Sequence, residues 1–166
     1  MERMWSPWRS RHIRSADRRT NEERASLFLR IAEADADEEN FVLWRGDTAF
    51  VVMNLFPYNN GHLLIVPFRK VEDYDALTSE EQIELAVLTD RCIRWLRQAV
   101  EPDGFNVGMN LGRAAGAGVP EHLHVHVVPR WGGDTNFMPT LADTKVVPES
   151  MEETYRKLRA AVEAIT

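Results

Sequence analysis

A single cysteine, Cys92, stands in the whole chain, which excludes an intrachain disulfide framework. Long apolar runs are missing too: no window approaches the ~18 consecutive apolar residues of a membrane-spanning helix. The opening stretch MERMWSPWRSRHIRSADRRT has no apolar segment of the kind a secretory signal needs, so a cytoplasmic protein without a membrane partner is expected. Positive charge is short as well. Against 26 Asp and Glu stand 20 Lys and Arg, giving a formal charge of -6, and a general nucleic-acid binder would show the opposite balance. A small polyanion remains a fitting ligand, because it requires only a local positive site. Repeats, linkers and low-complexity tracts are absent, so residues 1–166 read as one domain.

What is present is a soluble globular balance, 44% apolar and 28% charged residues. Residues 1–20 form a basic arm, with Arg3, Arg9, Arg11, Arg14, Arg18 and Arg19 against Glu2 and Asp17. It is either a solvated arm or one folded over a phosphate cleft or a partner subunit. A short helix is expected from Asn21 to Ala34, with Ala25, Leu27, Phe28 and Ile31 apolar. Phe41–Trp44 and Thr48–Asn54 flank Arg45-Gly46-Asp47 as a hairpin, Leu55–Gly61 is turn chemistry, and His62–Pro67 is a third strand. Thr78-Ser79-Glu80-Glu81 resembles a capping box, and Ile83, Val87, Cys92, Leu96 and Val100 are taken as the inward stripe of the following helix. Phe105–Asn110 and His122–Pro129 complete the strands around a glycine-rich loop from Leu111 to Glu121. Residues Pro148–Thr166 predict a terminal helix with Met151, Tyr155, Leu158, Val162 and Ile165 inward. The class is α+β, a five-stranded antiparallel sheet flanked by helices.

Three of the five histidines stand at alternate positions, His122, His124 and His126. In a strand such residues share one face, while Leu123, Val125 and Val127 turn to the core. Imidazoles side by side offer a nitrogen nucleophile and a proton carrier near neutral pH. They also offer a zinc site, for which His62 is an available third ligand. Spacing alone leaves nucleophile and metal evenly matched.

The string His122-x-His124-x-His126-x-x-Pro129, preceded by Gly61-His62-Leu63-Leu64-Ile65-Val66-Pro67, resembles the histidine triad (HIT) superfamily. The similarity runs from about Asn40 to Phe137, and Trp5-Ser6-Pro7-Trp8-Arg9 is similar as well. NLFPYNNGHLLIVP, GFNVGMNLG and EHLHVHVVPRWGGDTNF are most similar to the bacterial diadenosine tetraphosphate phosphorylase/hydrolase-like branch. The resemblance implies a HIT-like fold, a homodimer, and an enzyme that cleaves dinucleoside polyphosphates through a nucleotidyl-histidine, with orthophosphate or water as acceptor.

In that pattern His124 is the nucleophile, His126 bonds the scissile phosphate and leaving oxygen, and His122 and His62 orient and buttress. Asn54, eight residues before His62, matches the ribose-binding position, and Asn110 the polar residue aimed at the phosphates. The loop Gly112–Gly118, with Gly116 and Gly118, lets backbone amides approach an anion. Magnesium is expected to arrive with the polyphosphate and not at dedicated residues. Relatives with a Cys-x-x-Cys pair in the first helix hold zinc; this chain has Ser26-Leu27-Phe28-Leu29, so no structural zinc is expected. Where relatives place a hydroxyl before the triad it has Gly118-Val119-Pro120-Glu121, which opens the choice of acceptor. Phosphoramidate hydrolysis, a zinc-dependent hydrolase and a nucleotide sensor with little turnover are the alternatives.

Overall fold

A computed structural model describes residues 27–134 and 149–165. The basic arm, the start of the first predicted helix and residues 135–148 lie outside the described residues. In chain order the elements are α1 (Leu27–Glu33), β1 (Val42–Arg45), β2 (Ala49–Met53), β3 (Leu63–Pro67), α2 (Ser79–Val100), β4 (Gly104–Met109), β5 (Val125–Arg130) and α3 (Met151–Ile165). The five strands form one sheet in the order β1-β2-β3-β5-β4, and each neighbouring pair is antiparallel.

Alternation along the strands divides the apolar residues between two faces. Ala49, Val51, Met53, Leu63, Ile65, Leu123, Val125 and Val127 join Leu88, Trp95 and Leu96 of α2 and Tyr155 and Leu158 of α3 in the main core. Phe50, Val52, Leu64 and Val66 point the other way and gather Phe28 and Ile31 of α1 into a second, smaller cluster. His126 pairs with Leu64 in the β3–β5 ladder, one step out of phase with Val125 and Val127. The histidine face is therefore the face that α1 covers.

Helix α2 starts as its sequence dictates: the Thr78 side chain accepts from Glu81 N, and the Glu81 side chain reaches back to Thr78 N. Its inward stripe differs from the expected one. Glu81, Leu85, Leu88, Cys92, Trp95 and Leu96 are buried, whereas Ile83 and Val87 are exposed. At about 100° per residue, Val87 and Cys92 are five steps apart and out of phase, so the expected stripe crossed the helix. Ile165 is likewise exposed at the last turn of α3, and Thr154 and Ala161 take inward places beside Tyr155, Leu158 and Val162.

Two polar clamps hold the surrounding loops. Arg45 ends β1 and donates to the carbonyls of Ile31, Ala32 and Ala34, at 3.0, 2.7 and 2.9 Å, while pairing with Asp37. It thereby satisfies the open carbonyls at the C-terminal end of α1. Glu84, on α2, accepts from Asp47 N and from the backbone and hydroxyl of Thr48, closing the β1–β2 turn. Gly46 leaves room for this clamp, because a Cβ at that position would lie 2.0 Å from the Glu84 carboxylate and would displace it.

Candidate active site

The three triad histidines enter β5 from its N-terminal side. The ladder begins at Val125, later than the start expected at His122, so His122 and His124 precede the observed strand, yet the in-out alternation already runs through them: Leu123 faces the main core while both rings meet Phe28. The delay comes from Leu123, whose N–H bonds Val71 O at 2.6 Å and so pairs outside the sheet. All three imidazoles are buried, and the Phe28 ring of α1 rests against two of them, 5.2 Å from His124 and 5.5 Å from His122.

Hydrogen bonds assign the proton on each ring. His124 Nδ1 lies 2.9 Å from the carbonyl of His122. A carbonyl only accepts, so Nδ1 carries the hydrogen and Nε2 keeps its lone pair. His122 Nε2 donates in the same way to Pro67 O at 2.8 Å, leaving its buried Nδ1 without a partner. Burial holds both rings below the ordinary histidine value of 6.5, because a charged imidazole would lose its hydration; the carbonyl partners oppose this without reversing it. His124 is thus a neutral imidazole with Nε2 available.

The second relay starts in the turn after β2. The backbone N–H of Tyr58 donates to His62 Nδ1 at 3.0 Å, and the Asn54 amide approaches the same nitrogen at 3.2 Å. His62 Nδ1 is therefore an acceptor and Nε2 carries the hydrogen, which it gives to His126 Nδ1 at 2.9 Å. His126 in turn has its hydrogen on Nε2. Asn110 Nδ2 lies 3.3 Å from that nitrogen; two N–H groups cannot pair, so the amide turned over, with its oxygen toward Nε2–H, is the arrangement that makes this hydrogen bond. The Tyr58 ring stacks on His126, with centroids 5.5 Å apart and planes 16° from parallel.

A cavity of about 680 Å³ opens between α1 and the sheet. Its apolar wall is Leu27, Phe28, Ile31, Val52, Leu64 and Val119, and His124 and His126 stand on its polar side. Their ring centroids are 4.8 Å apart, with the planes inclined at 62°. A lone pair on His124 Nε2 and an N–H on His126 Nε2 stand side by side at one cavity: a nucleophile and a hydrogen donor for the group it displaces.

Of the residues expected in the site, His124, His126, Asn54 and Gly118 line this cavity. His122 and His62 are not on its wall: the His122 carbonyl accepts from His124 Nδ1, and His62 Nε2 meets His126 Nδ1. Asn110 reaches His126. Gly116, at φ +87°, closes the short turn Arg113–Ala115 and is not on the cavity wall. Asn54 accepts from Phe56 N at 3.0 Å as well as approaching His62, so it is a turn-forming asparagine that also faces the cavity. Sequence reasoning missed Tyr58, read only as turn chemistry, and assigned no role to Asn40. Glu39 and Arg30 also reach the cavity and were not expected there.

Comparison with known proteins accords with this geometry. The HIT domain family matches residues 34–133. An AP-4-A phosphorylase of Mycobacterium tuberculosis is 43% identical over 162 residues, covering 95% of this chain and 83% of that protein. A bis(5'-adenosyl)-triphosphatase of Saccharomyces cerevisiae is 34% identical over 94 residues, 54% of this chain and 44% of the yeast protein. Among solved structures, a Zn-bound histidine triad family protein from Mycobacterium smegmatis superposes with a TM-score of 0.69 at 28% identity, covering 84% of this chain and 94% of that one. Family match, relatives and the ordered histidine relay agree: the chain belongs to the HIT domain family.

Proposed function

We propose that the protein is a nucleotidyl-transferring enzyme that splits dinucleoside polyphosphates of the diadenosine tetraphosphate type, with orthophosphate favoured as acceptor. The observation that carries this reading is the His124 imidazole, held by the His122 carbonyl with Nε2 free at the cavity. The similarity to the M. tuberculosis AP-4-A phosphorylase supports the substrate class.

His124 Nε2 attacks the α-phosphorus, and the P–O bond to the polyphosphate breaks. His126 Nε2–H donates to the departing oxygen, so ATP leaves and adenylyl-His124 remains. An oxygen of orthophosphate then attacks the same phosphorus and displaces Nε2, giving ADP. Asn54 bonds the ribose hydroxyls, Asn110 turns from His126 to the phosphates, and the Gly118 backbone approaches them. Magnesium enters with the polyphosphate as part of the substrate.

The donor set does not suit a protein-bound zinc. His62 and His126 spend nitrogens on each other, and among the described residues no three metal-binding side chains cluster. Chelator-treated protein supplied with magnesium is expected to keep full activity; recovery only on adding zinc would refute this.

The reading extends to a cytoplasmic homodimer. No helix among the described residues is long and apolar enough to cross a membrane. Strand β4 is a sheet edge with Val107 47% exposed, and Ile83 and Val87 of α2 are exposed too, as apolar groups awaiting a partner would be. Light scattering on a size-exclusion column tests it, and a monomer across micromolar concentrations would refute it.

The acceptor is tested by mass analysis of products formed in phosphate buffer and, separately, in phosphate-free oxygen-18 water. ADP and ATP dependent on phosphate support phosphorolysis. AMP carrying the heavy oxygen, without any phosphate effect, would make the protein a hydrolase. Unchanged substrate in both would refute the enzymatic reading.

A further inference from the structure

The apolar wall of the cavity will hold any nucleobase, so selection among bases must come from polar groups on that wall. Seven polar side chains reach it among the described residues: Arg30, Glu39, Asn40, Asn54, Tyr58, His124 and His126. His124 and His126 are committed to chemistry, and Tyr58 is stacked on His126. Asn54 has its oxygen on Phe56 N and its nitrogen near His62. Arg30 and Glu39 are exposed, where water competes for their bonds. Asn40 remains: half-buried, with hydrogen-bonding capacity unspent.

Its position is built by several interactions. Nδ2 of Asn40 donates to Ala36 O at 2.9 Å, and Asn40 N donates to the same carbonyl at 3.1 Å. The bond to a carbonyl fixes which end of the amide is nitrogen, so the oxygen and one N–H stay free in a defined order. The next residue, Phe41, takes a left-handed conformation at φ +56°, uncommon for a residue with a side chain. The turn that demands it is fastened at both ends: Arg45 holds Asp37 and the end of α1, and Tyr155 Oη donates to Val42 O at 2.9 Å. A side chain held this firmly loses little freedom on binding.

We propose that Asn40 is the specificity-determining residue for the nucleobase, selecting a 6-aminopurine over a 6-oxopurine. The inference rests on the nucleotide reading of the cavity. The free oxygen accepts from the exocyclic amino group, and the free N–H donates to the adjacent ring nitrogen, the paired pattern by which an asparagine side chain matches adenine. A 6-oxopurine presents an acceptor where the amino group was. With the amide order set by Ala36, turning the side chain over to meet it would break the bond to that carbonyl.

Calorimetric binding of AMP, IMP and purine riboside monophosphate to the full chain tests this without turnover. Wild type is expected to bind AMP roughly tenfold more tightly than the other two. Asn40→Ala should lower AMP affinity to the level of IMP and leave IMP where it was. Equal wild-type affinity for the three overturns the proposal but leaves the nucleotide site intact, and that arm needs no variant to fold. Selectivity that survives in Asn40→Ala, or is lost in Arg30→Ala instead, also overturns it. If no monophosphate binds at millimolar concentration, the nucleotide reading itself fails and the proposal with it.

Discussion

Lowering the pH from about 7.5 to about 6 should cost this protein less activity than it would an enzyme with a solvated histidine nucleophile. An imidazole at the ordinary value of 6.5 is about nine-tenths neutral at the higher pH and about one-quarter neutral at the lower, so kcat/KM would drop to roughly a quarter. His124 lies below that value because burial penalises its charged form, with the bond to the His122 carbonyl pulling weakly the other way. The retained fraction of kcat/KM should therefore exceed a quarter, with the acid limb centred below 6.5. The same shift governs stability. His122 and His124 resist protons in the fold while the unfolded chain accepts them, so their contribution is complete above about pH 6.5 and is lost as pH falls through that value toward the folded-state ones. The assay is kcat/KM for diadenosine tetraphosphate between pH 5 and 8, beside urea melts over the same range. An acid limb at or above 6.5, with stability flat from pH 7 to 5.5, would refute both the burial argument and the neutral nucleophile.

Three further perturbations separate the parts of the site. His124→Ala should remove several orders of magnitude in turnover while nucleotide binding persists, since only the attacking nitrogen is lost; a near-normal kcat in steady-state assays would remove His124 from the nucleophile's role. Asn54→Ala should chiefly raise KM for ribonucleotides, because the Tyr58 N–H still fixes the His62 tautomer without it. Equal losses with 2′,3′-dideoxyribose substrates would instead move Asn54 from the ribose to the relay. Glu84→Ala should destabilise the fold by about 1–3 kcal/mol in urea titration, since three donors of the β1–β2 turn lose their acceptor; no change in the urea midpoint would mean that water replaces it.

The chemical strand was legible because a period of two is a property of any extended backbone: His122, His124 and His126 share a face even where the ladder has not begun. The start of α2 was legible for a similarly local reason, its capping box lying within four residues. The inward stripe of α2 was not, because choosing among apolar residues at mixed spacings requires knowing which side the sheet occupies. Ile83 and Val87 satisfied a helical period with each other but not with Cys92. Bonds that span the chain were invisible for a more basic reason. Arg45 reaches the carbonyls of α1 and Glu84 reaches Thr48, and neither sequence context differs from that of an ordinary surface charge.

The same distinction runs through the site itself. Residue types named the chemistry, yet the proton positions on three of the four rings are set directly by backbone groups: Tyr58 N–H on His62, the His122 carbonyl on His124, the Pro67 carbonyl on His122. A backbone donor or acceptor is present at nearly every residue and leaves no mark in the sequence. Only the fold selects which one faces an imidazole. His124 and His126 carry the same side chain two residues apart; the His122 carbonyl gives one a free Nε2 lone pair, and the Tyr58 N–H, acting through His62, gives the other an Nε2–H. Without that difference the two rings would compete for a single role; with it, the proposed reaction has one ring to attack phosphorus and a neighbour to donate to the oxygen that leaves.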